Sequence, residues 1–367
     1  MTQIQIPSGM RDLTNDACVA KDALRNRITE IYKSYGYRPV ETPLIEFYST
    51  YQNTFTSLKE ETLYKFVDES GQLLVLRTDM TLPIARLTAG KYSQDEFPLR
   101  FCYCSNVYKV RQSFAGKRNE VTDCGIELIG LDDASDLEVL CCALDVMNAL
   151  GIEDYTLEIG SSSLFRDACA QSGLDAKQIG ALADYIDRKE IPALNSFVDT
   201  LNLDEKKAAF FRKLPVCGGK DALTLAKQLC FSDSLSQEIE NLISLKNTLE
   251  ELGYKDHVTF DLGKVPHLDY YTGIIFEGYV RGIGTSVLSG GRYDALLSKL
   301  GRDLPAIGFG VKLDYLLDSV AADETPVTKL YYPRAKAAEA MKKARKLREE
   351  GPVEMIPWEK DTMEVVG

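Results

Sequence analysis

Leu76-Arg77-Thr78-Asp79-Met80-Thr81 stands where a β-rich run gives way to a helical one, and the fold is read outward from it. Just upstream, LYKFVD (63–68) and QLLVLR (72–77) flank Glu69-Ser70-Gly71, the pattern of a β-hairpin. Just downstream, Pro83 falls in the first turn of an apolar-periodic stretch, with Thr81 placed to cap it. The hexapeptide therefore sits where strand turns into helix, and polar side chains there face a cleft more often than a core. Nearer the N-terminus, Leu24, Ile28, Ile31 and Tyr35 recur at helical spacing, with Thr14 or Asn15 as a start signal and Gly36 as a stop.

The rest of the chain extends this pattern. A strand at about 98–109, the polar loop SFAGKRNE (113–120) and the strand TDCGIELIG (122–130) predict a long antiparallel hairpin. Residues 134–150 predict a helix with Leu137, Leu140, Leu144, Met147 and Leu150 on one side. Between about 161 and 252 the chain reads as short amphipathic helices, an insertion between two halves of a sheet domain. Strand signals return at HVTFDLG (257–263) and YYTGIIFEGYV (270–280). They pass through a glycine-rich turn at Ser289–Asp294 and end at PAIGFGV (305–311) before a last core helix. After Asp323-Glu324-Thr325-Pro326, a strand at 329–332, a helix at 334–350 and a strand at 353–356 make one short βαβ unit. Its helix carries seven basic residues against three acidic, the mark of a solvated face. The expected fold class is α+β, with a core over 1–323 and the C-terminal unit over 324–367.

Composition narrows the function. With 45% hydrophobic and 27% charged residues the chain is an ordinary globular protein. A net charge of −12 repels phosphate backbones and disfavours nucleic acid. Nine cysteines show no CxxC or zinc spacing and read as reduced core thiols. Two histidines, His257 and His267, leave almost no material for an imidazole metal site or a Ser-His-Asp triad. No metal or cofactor is expected. The opening MTQIQIPSGMRDL has no apolar leader, and no stretch of 18 apolar residues occurs, so the expected compartment is the cytoplasm.

Four segments in order carry a resemblance: Leu76–Thr81, Asp123-Cys124-Gly125-Ile126-Glu127, Leu268-Asp269-Tyr270-Tyr271 and Gly290-Gly291-Arg292-Tyr293-Asp294. Over residues 1 to about 320 the chain resembles the histidyl-tRNA synthetases, class II aminoacyl-tRNA synthetases. Within them it looks most like the synthetase-like paralogues that serve as regulatory subunits of ATP phosphoribosyltransferase. The resemblance implies an antiparallel sheet of six or so strands flanked by helices. It implies as partner the short catalytic subunit of that enzyme, in the first step of histidine biosynthesis, with histidine as effector and a homodimer within a hetero-oligomer.

The implied pocket is one for histidine. Asp79 and Thr81 match positions that hold the α-amino group, Asp123 stands where the synthetases carry a glutamine of similar task, and Glu127 matches the residue that contacts the imidazole. Tyr270 and Tyr271 belong to the motif lining the ring pocket, and Gly290 and Gly291 let backbone approach the ligand. Chemistry agrees, since an ammonium needs anionic partners and a tyrosine gives an apolar wall with a polar tip. Each also has a structural reading: an aspartate at a helix start is a cap, Tyr-Tyr in a strand is a packing pair, and Gly-Gly is a turn.

Adenylate formation needs cations at the triphosphate, where one arginine is worth roughly three to five orders of magnitude in related phosphoryl transfers. Where the resemblance puts arginines, this chain has Lys109, then Val265-Pro266-His267, then Tyr315. Arg111 and Lys312 are the cations left to substitute. The 41 residues after Pro326 are also short of a full anticodon-binding domain, which argues against tRNA. The expectation is a non-catalytic regulatory subunit. An active histidyl-tRNA synthetase or other amino-acid-adenylating paralogue is the alternative, and a stand-alone amino-acid sensor a third reading.

Overall fold

The computed structural model describes residues 5–55, 59–93, 96–111, 118–265, 271–317 and 326–366. Contacts divide the chain into two compact units, one of Met1–Leu13 with Leu24–Val320 and one of Thr14–Ala23 with Ala321–Gly367.

The strands of the first unit are β1 (Arg38–Pro39), β2 (Ile45–Phe47), β3 (Lys65–Val67), β4 (Leu73–Leu76), β5 (Leu99–Tyr108) and β6 (Glu120–Ile129). They continue with β7 (Tyr155–Ser161), β8 (Gly218–Gly219), β9 (Val258–Asp261), β10 (Ile274–Val280), β11 (Leu288–Arg292) and β12 (Ala306–Lys312). Nine of them form one sheet in the order β1-β5-β6-β12-β11-β10-β7-β9-β8. From β5 to β7 the six successive strands are paired antiparallel with one another. The sheet departs from the expected antiparallel arrangement only at its margins, where β1 joins β5 and β9 joins β7 in parallel. A short edge pair buries little and leaves no period for the sequence to announce.

The first helix, Asn15–Ser34, buries Leu24, Ile28 and Tyr32. That row is shifted from the predicted one: Ile31 and Tyr35 are only half-buried, and Tyr32 takes the core because its hydroxyl donates to Cys124 O at 2.9 Å. Gly36, at φ +80°, ends the helix in the left-handed region. The predicted hairpin is β3–β4, with Lys65 opposite Val75; with β2 it makes a separate three-stranded sheet. The helix Asp136–Ala149 is buried almost all round, including Leu140, Leu144 and Met147. Each such side chain removed from water contributes roughly 1.5–3 kcal/mol. The insertion is helical as expected, six helices between Ser162 and Glu251 interrupted by the two-residue β8.

Two readings change. Ser289–Asp294 is not a turn: Leu288–Arg292 is strand, in the middle of the sheet. Its glycines answer to crowding. A β-carbon on Gly291 would lie 2.7 Å from Ile274 O, and one on Gly290 2.8 Å from Phe276 Cζ. Second, the cysteines are not all thiols, because Cys104 and Cys124 are directly opposed across β5 and β6 and joined as a disulfide, Cα atoms 4.0 Å apart. Only the register brings them together.

In the second unit β13 (Thr328–Pro333) pairs in parallel with β14 (Val353–Trp358) around the helix Ala337–Leu347, the expected βαβ. A third strand, β15 (Glu364–Val366), adds antiparallel to β13. Leu330, Ala340 and Ala344 form its small core.

Candidate functional site

Strand alternation builds the floor of a cavity of about 820 Å³. On β6, Asp123, Gly125 and Glu127 share a face; the register puts Lys312, Gly310 and Gly308 of β12 opposite them. Ser289 and Gly291 of β11 continue the row, opposite Gly310 and Gly308. Side chains at 308 and 310 would collide with the acids: a β-carbon would lie 2.7 Å from Glu127 Cδ in one case and 2.8 Å from Asp123 Cγ in the other. Two glycines on β12 thus make the room that two carboxyl groups on β6 occupy.

Glu127 is 1% exposed. Thr81 Oγ1 donates to its Oε1 at 2.9 Å, and the buried Tyr293 hydroxyl donates to Oε2. Burial pushes its carboxyl up to about 8; the two hydroxyls pull the other way, and Asp79 and Asp123 add to the rise. Asp123 is pushed up to about 6, again by burial, with Lys312 opposing and Asp79 assisting. Its Oδ1 is buried without a hydrogen-bond partner. Of the hexapeptide, Asp79 is the cap: its Oδ1 accepts the Leu82 N–H at 3.0 Å and its Oδ2 the Thr78 hydroxyl at 2.9 Å. Thr81 instead spends its hydroxyl on Glu127. Arg77 is structural, donating to Asn106 O at 2.9 Å and Thr42 O at 2.8 Å.

Asp79, Thr81, Asp123, Tyr271, Gly290 and Gly291 all line this cavity, and Glu127 holds Thr81 from beneath. Gly290 contributes backbone only, since its missing side chain would point to the opposite face, against Phe309 and Phe276. Tyr270, like Pro266 and His267, lies outside the described residues. Gly308, Gly310, Tyr293 and Tyr103 escaped the sequence reading, although the alternation of glycines in Gly308-Phe309-Gly310 was the available signal.

Cations line the cavity too. Lys59, Lys109, Arg111, Arg118, Lys264 and Lys312 all contribute to its wall, more than the arginine count of the motifs anticipates. Lys264 is engaged, 2.6 Å from Glu158 and 2.7 Å from Glu277. Arg111 Nε donates to Arg118 O at 3.1 Å. Tyr315, the uncharged residue standing where the resemblance puts an arginine, accepts the Arg118 N–H at 3.4 Å.

Comparison with known proteins places this architecture. The histidyl-tRNA synthetase family model matches residues 9–316. An ATP phosphoribosyltransferase regulatory subunit of Clostridium kluyveri is 35% identical over 366 residues, covering 96% of this chain and 92% of that protein. The chain belongs to the ATP phosphoribosyltransferase regulatory subunit family. Another member, from Bacillus cereus, is 32% identical over 355 residues, covering 94% of this chain and 84% of its own. The crystal structure of an ATP phosphoribosyltransferase regulatory subunit/histidyl-tRNA synthetase from Bacillus halodurans superposes with a TM-score of 0.87 at 32% identity, over 97% of this chain and 93% of that one. Histidyl-tRNA synthetase from Nostoc shares the fold, with a TM-score of 0.78 at 21% identity over 99% of this chain and 88% of that one. Among the described residues of this regulatory-subunit family member, no helix is long and apolar enough to cross a membrane, and no cluster of His, Cys, Asp and Glu could hold a metal ion.

The buried acid gives a pH prediction. Glu127 binds its proton more tightly folded than unfolded, so its contribution to stability is complete below about pH 4.5 and is lost as pH rises through about 8. Glu127→Gln keeps an acceptor for Thr81 and cannot ionise. In thermal unfolding from pH 5 to 8.5 the variant is expected to gain on the parent protein steadily as pH rises. Parallel Tm curves would refute a neutral Glu127.

Proposed function

We propose that this chain is the non-catalytic regulatory subunit of a two-part ATP phosphoribosyltransferase, binding histidine in the acid-floored cavity and tuning a short catalytic partner in the first step of histidine biosynthesis. The observation that carries the pocket assignment is Asp123: a buried carboxylate oxygen with no protein partner asks for a cationic donor from a ligand. An α-ammonium supplies one. Glu127, held by Thr81 and Tyr293, is left to meet a polar ring. Feedback then requires only that histidine favour one state of the complex by about 1–3 kcal/mol.

Lost synthetase activity belongs to the same proposal. Tyr315 brings no charge to the nucleotide end, and Arg111 is partly occupied by Arg118 O. The lysines and arginines of the cavity wall keep the alternative open to experiment, because they are what an adenylating enzyme would use. Histidine-dependent pyrophosphate exchange with ATP is expected to be absent; clear exchange would replace this reading with that of an enzyme. Self-association is supported by the three-stranded sheet, which leaves Ile45, Phe47 and Phe66 exposed on one face. The acidic net charge argues against tRNA as a partner. The compartment proposed is the cytoplasm, where the pathway's metabolites are.

The deciding experiment pairs calorimetry with reconstitution. Histidine should titrate into the isolated chain, Glu127→Ala should weaken it roughly tenfold or more through an unpaired buried contact, and the chain should activate a short catalytic subunit that is inactive alone. Unchanged affinity in Glu127→Ala would put the ligand elsewhere, and failure to activate would end the regulatory assignment.

A further inference from the structure

Among the described residues the cavity is lined by Tyr51, Tyr103, Tyr271, Tyr279 and Tyr293. Several of these hydroxyls are committed within the protein. Tyr51 Oη accepts the Thr78 N–H at 3.1 Å, the Tyr279 hydroxyl donates to Glu277, and that of Tyr293 donates to Glu127. Tyr103 differs. It is 6% exposed, and among the described residues its hydroxyl has no hydrogen-bond partner. A buried phenol ordinarily finds one, so a hydroxyl left over at a cavity wall is available to a ligand.

The pairing of β5 with β6 fixes where that hydroxyl is. Tyr103 is directly opposite Gly125, and Gly125 stands midway between Asp123 and Glu127 on one face, roughly 6.6 Å from each along the strand. The ring lies over the glycine: a β-carbon on Gly125 would fall 2.5 Å from Tyr103 Cζ and nearer still to the hydroxyl oxygen. The phenol therefore reaches in between the two acids of the floor. Burial keeps its proton on, and Asp123, Glu127, Tyr32 and Tyr293 act in the same sense. Of the two acids Asp123 acts the more strongly, which sets the hydroxyl toward that end of the row.

We propose that the Tyr103 hydroxyl completes the ammonium site of the cavity, accepting one N–H of the bound amino acid beside Asp123. This rests on the amino-acid reading of the cavity given above. An ammonium carries three donors and needs acceptors for them. Asp123 Oδ1, buried and unpartnered, is one. Asp79, whose charge also reaches Asp123, already accepts the Leu82 N–H and the Thr78 hydroxyl. Lys312, opposite Asp123 on β12, draws on that acid but has no lone pair to offer. A phenol oxygen accepts through a lone pair while its own proton stays in place, so Tyr103 adds an acceptor without adding a further negative charge to the floor. Gly125 is then required as well, since a side chain there would push the hydroxyl out of the row.

The test is calorimetric titration of the full chain and of Tyr103→Phe with L-histidine and, by displacement, with imidazolepropionate, which keeps ring and carboxylate but lacks the amino group. Tyr103→Phe is expected to weaken histidine roughly tenfold, as one hydrogen bond to a charged group allows, and to leave imidazolepropionate unchanged. Its thermal unfolding midpoint should match the parent's, because the hydroxyl it loses has no partner in the protein. Unchanged histidine affinity, or an equal loss for both ligands, would overturn the ammonium contact while leaving the amino-acid pocket in place. A lowered midpoint, or failure of Tyr103→Phe to fold, would show that the hydroxyl serves the fold and would overturn it too. If imidazolepropionate displaces histidine from neither protein, the ammonium is shown to be indispensable and the histidine affinities alone decide. Binding of no histidine by the intact protein would overturn the pocket reading and this inference with it.

Discussion

Arg292→Ala is expected to cost roughly 3–5 kcal/mol of stability, the usual price of stripping one partner from a buried ion pair. The Arg292 side chain is 4% exposed and satisfies five groups at once. Nε and Nη2 donate to Asp136 Oδ1 at 2.8 and 2.5 Å, and Nη1 donates to Asp294 Oδ1 at 3.0 Å. Leu131 O, Asp132 O and Ser135 Oγ accept at 3.2, 2.7 and 3.1 Å. Removing the guanidinium leaves a buried carboxylate and two part-buried carbonyls together. Burial already pushes Asp136 up to about 6 against the pull of Arg292, so the orphaned acid would take a proton near neutral pH. A lysine is no repair, since one ammonium cannot span a planar fork of donors; Arg292→Lys is expected to recover less than half the loss. Denaturant midpoints measure both, and a cost under about 1 kcal/mol for the alanine variant would show that the network is slack. Because Asp294 Oδ1 also accepts the Ala306 N–H at 2.9 Å, where β12 begins, the same lesion should loosen the glycine-bearing strand of the cavity.

That arginine also marks the limit of what the sequence told. Gly290-Gly291-Arg292-Tyr293-Asp294 was legible as part of a motif, but its local chemistry pointed to a turn. Glycine pairs signal turns through backbone freedom, whereas here they answer to the close approach of Phe276, Phe309 and Tyr271 from other elements. Long-range crowding has no local signature. The β3–β4 hairpin, the long β5–β6 hairpin and the helical insertion were readable because each is written in short-range periodicity. Thr81 was read as the helix cap, yet Asp79 caps: a hydroxyl and a carboxylate two residues apart can each cap a helix, and only Glu127, 46 residues beyond Thr81, draws the hydroxyl away. Lys312 was visible merely as a spare cation. Its position opposite Asp123 comes from the pairing of β6 with β12, which no window of sequence contains.

Gly308→Ala is expected to be the most damaging single-methyl addition in the cavity. The added carbon would lie 2.7 Å from Glu127 Cδ and nearer still to Glu127 Oε2 and Ile126 O. Neither neighbour can yield. Glu127 is fixed by Thr81 and Tyr293, and Ile126 O belongs to a central strand paired on both sides. Overpacking of this kind costs roughly 1–3 kcal/mol, and more where backbone must move, so a loss of about 3 kcal/mol is expected together with loss of amino-acid binding. Gly284→Ala, whose β-carbon meets nothing within 4 Å, should stay within about 0.5 kcal/mol of the parent. A double-mutant cycle separates the two clashes. If the carboxyl is the chief obstacle, Glu127→Ala in the Gly308→Ala background should be stabilising, with a coupling of roughly 1–2 kcal/mol. If the strand backbone dominates, the two costs should add. Gly308→Ala behaving like Gly284→Ala would mean that β6 and β12 are not held at the separation the carboxyl row requires, and the cavity floor would lose the close fit on which its selectivity depends.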